Sequence, residues 1–260
     1  MGTPLKNPPV YFTVAQVRFN AILTLADYLP AVQEAFRKKG FPDFATQKQV
    51  VLQIGTQNGQ PAPIPGIQER FSFSNAEKTH SFLLESDKLT FQSTQYGHFE
   101  SFSAAIIDGL ALVHGAVHLD FTDRVGLRYL DRVTPTATDR LEQYLAPEVL
   151  GLSNRLGGIP IHSYAETLSQ VDGIKLLSRV ITQVGGLGFP PDLAPTNMVV
   201  STRFQEYQGL HAILDNDGFF EGREAYSLDS VREHLNAIHT VIGNAFRVTA
   251  TDYAFEIWNQ

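Results

Sequence analysis

Apolar positions along this chain switch between two periods. Residues 11–22 (YFTVAQVRFNAI) alternate loosely among aromatic and β-branched side chains, which predicts a strand. In 25–40, Leu25, Tyr28, Val32 and Phe36 recur at helical spacing and Gly40 supplies a stop, so a helix is expected. Strands are expected at 48–55, 69–75 and 80–96, the last folding into a hairpin at Glu85–Lys88. The Gly- and Pro-rich stretch 55–66 reads as a surface loop. Phe99, Phe102, Ile106, Leu110 and Val113 mark one face of a helix over 98–117, and 118–133 follows as a long strand.

The second half repeats this alternation. A short helix around 139–146 lies in a connection, 134–162. Strands are predicted at 163–171, 175–184 and 198–207, with a loop at 185–195. Residues 209–226 read as a hairpin turning at Asn216–Gly218. A helix over 227–246 buries Leu228, Val231, Leu235, Ile238 and Ile242, with Ser227 as its N-cap. A final strand is expected at 249–258.

The halves can be laid on each other at an offset of about 130, a pattern match of the kind that internal repeats leave. Leu84 then meets Leu214, Glu85 meets Asp215, Asp87 meets Asp217 and Tyr96 meets Tyr226, each tyrosine standing just before a long helix. Thr122–Asp123 and Thr251–Asp252 follow the two helices. The expected fold is α+β, with two related halves. Each is a mainly antiparallel sheet packed on one long amphipathic helix, a helix-grip-like arrangement. The first half covers 1–133, the connection 134–162 and the second half 163–260, packed as one unit.

Composition narrows the function classes. The 260 residues are 43% hydrophobic, enough for a substantial core, and their net charge of −7 argues against broad nucleic-acid binding. The absence of cysteine excludes disulfides, a cysteine nucleophile and thiolate-bound zinc. The N-terminal residues lack a signal-peptide core, and no apolar stretch reaches the roughly 18 residues of a spanning helix. The expectation is a cytoplasmic protein without membrane contact.

Against that acidic balance stands RVGLRYLDR, residues 124–132. Strand alternation puts Arg124, Gly126, Arg128, Leu130 and Arg132 on one face, and Val125, Leu127, Tyr129, Asp131 and Val133 on the other. The three guanidinium groups spread over roughly 26 Å, and Gly126 leaves room between two of them. Guanidinium suits phosphate and carboxylate, so Arg124, Gly126, Arg128 and Arg132 form a candidate anion-binding set. The competing reading is internal ion pairing with Asp120, Asp123, Asp131, Glu142, Asp252 or Glu256.

The same run, with Pro8–Pro9, the sequence Val17-Arg18-Phe19 and the late Thr251–Asp252, resembles a sporadically distributed bacterial family of about 260 residues. Its signature is an arginine–glycine–leucine–arginine–tyrosine core, with Asp131 standing where asparagine is usual. The resemblance implies no catalytic residues, and its patchy distribution suggests phage-defence or toxin–antitoxin loci.

Other motifs carry little chemistry. His114 and His118 have metal-ligand spacing but lack the glutamate of a zinc-protease motif and sit at a helix end. Residues 214–220 lack two ligands of a calcium loop. The glycines of 185–189 have neither dinucleotide nor P-loop spacing. No cofactor is expected. The leading expectation is a non-enzymatic binding or regulatory protein with a protein partner, contacted through the arginine face or the stretches 55–66 and 185–195. One alternative is a phosphate- or nucleotide-handling enzyme or sensor, with Asp131, Asp215 or Asp217 as base or metal ligand. Another is a carrier of an apolar ligand between sheet and helix. A nucleic-acid backbone also matches the arginine chemistry.

Overall fold

A computed structural model describes residues 5–57, 60–136, 138–193, 195 and 197–260, with side chains at 49–68, 153 and 154 left aside. The chain is α+β. Its strands are β1 Val10–Phe19, β2 Asp43–Gln57, β3 Gln60–Ser74, β4 His80–Glu85, β5 Lys88–Ser93, β6 Phe121–Val133, β7 His162–Val171, β8 Ile174–Val184 and β9 Leu210–Ala225. They form one sheet in the order β2-β3-β4-β5-β1-β6-β9-β8-β7, and every paired neighbour runs antiparallel. The helices are α1 Leu25–Lys38, α2 Phe99–Val117, α3 Thr202–Gln205, α4 Leu228–Thr249 and α5 Asp252–Trp258.

The two long helices follow their predicted stripes. Phe102, Ile106, Leu110 and Val113 of α2 and Val231, Leu235, Ile238 and Ile242 of α4 are buried in one cluster with Val125, Leu127 and Tyr129 of β6. By length and composition α2 could cross a membrane, but this stripe lies against the sheet as in a core helix. Phe36 of α1 stacks on Phe73 at 4.6 Å and meets Phe82 at 4.7 Å, extending the core toward β3 and β4. Across the sheet, the described residues of 185–207 lie over its other face. Leu187, Phe189, Leu193, Met198, Val200 and Phe204 pack there on Tyr11, Phe12, Val14, Leu130 and Ile213.

Four local readings are overturned, each by a long-range partner. Residues 55–66 belong to the arms of the β2–β3 hairpin, paired from Gly55↔Ala62 through Val51↔Gly66. Pro61, Pro63 and Pro65 fall at alternate positions, so their missing N–H groups share one edge of β3, and β4 pairs only with Phe71–Ser74. The tip at 58–59 lies outside the described residues.

Asn216–Gly218 is no turn: β9 runs straight through it between β6 and β8. Each turn-forming residue has a tertiary use. The Ser178 hydroxyl donates to the Asn216 side-chain oxygen at 2.7 Å, Asp217 pairs opposite Arg128, and Gly218 admits Ile238 of α4. The expected 198–207 strand is an irregular segment with the one-turn helix α3, whose Phe204 is buried.

The closing strand is the helix α5. Thr251 caps it by accepting from the Ala254 N–H at 3.3 Å, and Ala254 and Trp258 bury at helical spacing. The short helix near 139–146 is a 3-10 turn, Leu141–Gln143. Of the residues matched across the halves, Asp87 lies in the β4–β5 turn and Asp217 within a strand, while Tyr96 and Tyr226 each stand before a long helix.

A Cβ at Gly109 of α2 would lie 2.3 Å from the Phe82 ring, which is fixed among Phe36, Phe41 and Phe91. Gly109→Ala gains about 1 kcal/mol of helix propensity but meets overpacking of about 1–3 kcal/mol. The expected result is a lower Tm, partly restored by adding Phe82→Leu. A raised Tm in the single variant would show that the ring yields.

Candidate functional site

Strand β6 is paired on both edges, with β1 and β9, and its alternation holds along the arginine run. The odd positions face the helices. Arg124, Gly126, Arg128, Leu130 and Arg132 face the other side, and the three cations have three different environments.

Arg128 is 6% exposed. Its Nε and Nη2 donate to both oxygens of the fully buried Asp215, at 2.6 and 2.7 Å. Nη1 and Nη2 donate to Asp192 on the overlying segment, at 2.5 and 3.3 Å. Asp215 also accepts from Arg179 Nη1 at 3.1 Å, and Arg179 Nε donates to Glu166 at 2.8 Å. Burial pulls the Arg128 guanidinium pKa down, but the two carboxylates more than offset it and hold the pKa above its ordinary value. Arg128 keeps its charge and spends it inside the molecule.

Arg132 meets backbone. It donates to the carbonyl oxygens of Phe204, Gly185 at 3.2 Å and Tyr207 at 2.9 Å, tying both ends of the overlying segment to β6. Its Nε is buried without a hydrogen-bond partner among the described residues, and burial lowers its pKa.

Arg124 differs. Its guanidinium lies over the Phe219 ring at 4.6 Å and folds back over Gly126, where a Cβ would come within 2.9 Å of Nη1. Nη1 donates to Gln16 Oε1 at 3.3 Å, and among the described residues no carboxylate bonds it. Directly opposite on β1 stands Arg18, an exposed cation likewise without a described ion pair. Like charges facing each other across two strands are destabilising. Burial lowers the Arg124 pKa most; the nearby Asp217 charge pulls it back up, and the Arg18 charge lowers it to a smaller extent. Glu221, across from Arg124 on β9, is taken by Lys175 at 2.7 Å.

Arg124, Gly126, Arg128 and Gln16 line a cavity of about 200 Å³, closed on one side by Asp192 of the overlying segment. Asp217 shares its wall, and burial raises the Asp217 carboxyl pKa against the pull of Arg128 and Arg124. The anion-binding set thus separates. Arg132 is a structural clamp, Arg128 lines the cavity with its charge already paired, and Arg124 with Gly126 faces open space.

The carboxylates expected as partners serve elsewhere. Asp120 accepts from Asn20, Asp123 lies 3.9 Å from Arg223 and Glu142 pairs with Arg140. Asp252 and Glu256 sit on α5, so no strand brings Glu256 opposite an arginine. His114 accepts the Leu119 N–H at 3.0 Å, and His118 ends α2 in a left-handed conformation. Among the described residues no cluster of three metal-binding side chains occurs.

Sequence reasoning missed Arg18 and Gln16 as members of the site. Their signal was present only as a polar residue and a cation at alternating positions of β1. Asp131 faces the helix side at 6% exposure, opposite Val10, with no side-chain hydrogen bond among the described residues. Burial pushes its carboxyl pKa up to about 7.

No protein-family model matches the chain, and no curated protein matches it.

Two predictions follow from this geometry. Asp215→Asn strips a buried partner from Arg128 and Arg179 and is expected to cost about 3–5 kcal/mol in urea unfolding. Asp192→Ala removes a carboxylate that is 60% exposed and should cost under about 1 kcal/mol. Equal losses would contradict the assignment of Asp215 as the main counter-ion.

The second concerns pH. The Asp131 pKa is raised on folding, so the native state holds the proton more tightly than the unfolded chain, and stability falls as pH climbs from about 4 to about 7. Asp131→Asn should raise Tm at pH 8 and leave it unchanged at pH 4.

Proposed function

We propose that this chain is a binding or regulatory protein that recognises an anionic group, phosphate or carboxylate, at Arg124 and Arg18 on the open sheet face. The observation that carries this reading is the cross-strand pair of cations: Arg18 and Arg124 face each other without a bonded carboxylate beside an open cavity. An arriving anion relieves their repulsion and meets a planar fork already oriented by Phe219 and Gln16. At about 200 Å³ the cavity takes the head of a ligand or the tip of an acidic side chain, not a whole nucleotide. That size favours a group presented by a partner protein, and a defence-locus partner remains within the proposal. Asp192 belongs to the overlying segment, so movement of that segment would change access to the cavity.

The finer architecture also enters as a proposal. On one side of the central β1–β6 pair lie β5, β4, β3 and β2; on the other lie β9, β8 and β7. Each side reads in chain order as a first strand, an insertion, a run of antiparallel strands (four in the first half, three in the second) and a long helix, α2 or α4. This symmetry supports an internal duplication of helix-grip-like units. Its boundary would fall before β6, near residue 119, and the α5 segment would lie outside the repeat.

The test is thermal unfolding of the full chain with inorganic phosphate, phosphoserine and succinate, at low salt. An anion at 100 times its Kd adds about 2.7 kcal/mol of stability. Stabilisation by at least one anion is expected in the parent and is expected to be lost in Arg124→Ala and reduced in Arg18→Ala. A flat response to all three, or a response that survives Arg124→Ala, refutes the reading.

A further inference from the structure

On the helix side of the sheet, two adjoining cavities of about 140 and 710 Å³ share walls from the start of β1, Tyr96 and α4. Asp131 lines the smaller one. We propose that this double cavity binds a primary ammonium carried on an apolar, aromatic-sized body, with Asp131 as its counter-ion. The site is separate from the anion site, on the opposite face of the sheet, and does not rest on it.

Asp131 supplies the first argument. It is a carboxyl only 6% exposed that lines the smaller cavity, with no hydrogen bond to its side chain among the described residues. A buried carboxylate without donors is costly, so it holds its proton near neutrality until a cation replaces it. The nearby hydroxyls are already engaged. Tyr96 and Tyr129 share a hydrogen bond of 2.8 Å, and the Tyr129 oxygen lies 3.1 Å from His239 Nδ1. That relay fixes the wall beside Asp131 without satisfying it.

The remaining walls choose the ligand. His239 stacks on Phe99 at 3.9 Å, and Phe246 and Phe255 also line the larger cavity. Aromatic faces beside a carboxylate favour an organic cation. The charged groups around the mouth point the same way. Glu100 at the start of α2 and Asp252 at the start of α5 oppose Arg247 of α4. Burial lowers the His239 pKa, which favours its neutral form. Tyr11 and Tyr129 feel the Asp131 charge only as acids of raised pKa, and so remain neutral. A volume of 710 Å³ falls within the roughly 300–1,000 Å³ of small-molecule sites. A neutral apolar ligand would fill the outer cavity and leave Asp131 unpaired; an anion would meet the wrong sign at the floor.

The experiment is calorimetric titration of the full chain with phenethylammonium, alongside 3-phenylpropionate and 2-phenylethanol, which share its ring but not its charge. Phenethylammonium is expected to bind and the other two to bind at least tenfold more weakly. Its affinity should rise roughly tenfold between pH 6 and pH 8 as Asp131 loses its proton, since an alkylamine stays charged throughout that range.

Asp131→Asn should weaken binding at least tenfold and abolish that pH dependence. Gly243→Leu is the second variant. A Cβ at Gly243 meets nothing closer than 3.9 Å, so the larger side chain fits the helix and fills the cavity, and binding should be lost with Tm preserved. No binding of phenethylammonium up to about 10 mM, equal binding of the phenylpropionate, or unchanged affinity in Gly243→Leu overturns the proposal.

Discussion

Both edges of β6 are paired and both faces are covered along most of its length, and this constraint organises the molecule. A strand in that position must place every second side chain in one of two interiors. On the helix side the chain supplies Val125, Leu127 and Tyr129, which join the main core. On the other side it supplies cations, and each cation needs a compensating environment. Asp215 compensates Arg128, and carbonyl oxygens compensate Arg132. Arg124 faces the cavity with a ring and an amide in contact and Asp217 in the cavity wall, but no carboxylate bonded to it among the described residues.

The overlying segment 185–207 owes its position to the same constraint. Its apolar residues cover the centre of the sheet, but hydrophobic packing has no direction. The direction comes from Arg132, whose fork takes carbonyl groups from both ends of the segment, and from Asp192, which meets Arg128. A segment whose described residues hold no regular structure beyond the one-turn helix α3 is thereby fixed over one part of the face, leaving the Arg18–Arg124 part open. The polar accounting of a single strand thus decides which area of the sheet a ligand can reach.

The two faces then carry opposite chemistry within a few residues of each other. Arg128 and Arg132 flank Asp131 in sequence, yet the strand sends them to one side and the aspartate to the other. Sequence proximity suggests mutual neutralisation; alternation forbids it. Arg128 found carboxylates 64 and 87 residues away, Arg132 found carbonyl groups 53 to 75 residues away, and the aspartate found no partner among the described residues.

Much of this was written in the local pattern. The stripes of α1, α2 and α4, the Glu85–Lys88 hairpin and the two-sidedness of β6 depend on periods of 3.6 and 2, which neighbouring residues alone establish. The sequence by itself determined that cations would share one side of β6. Tertiary structure decided the rest. Asn216–Gly218 carries a turn signature, but pairing with β6 and β8 on both edges outweighs a local preference of about 1 kcal/mol. Residues 249–258 alternate well enough for a strand, yet no sheet edge receives them, and the Thr251 cap with Ala254 and Trp258 buried makes them helical. The meeting of Arg18 with Arg124 was equally invisible, because the register of β1 on β6 is set by contacts across the whole sheet and not by any residue near either arginine.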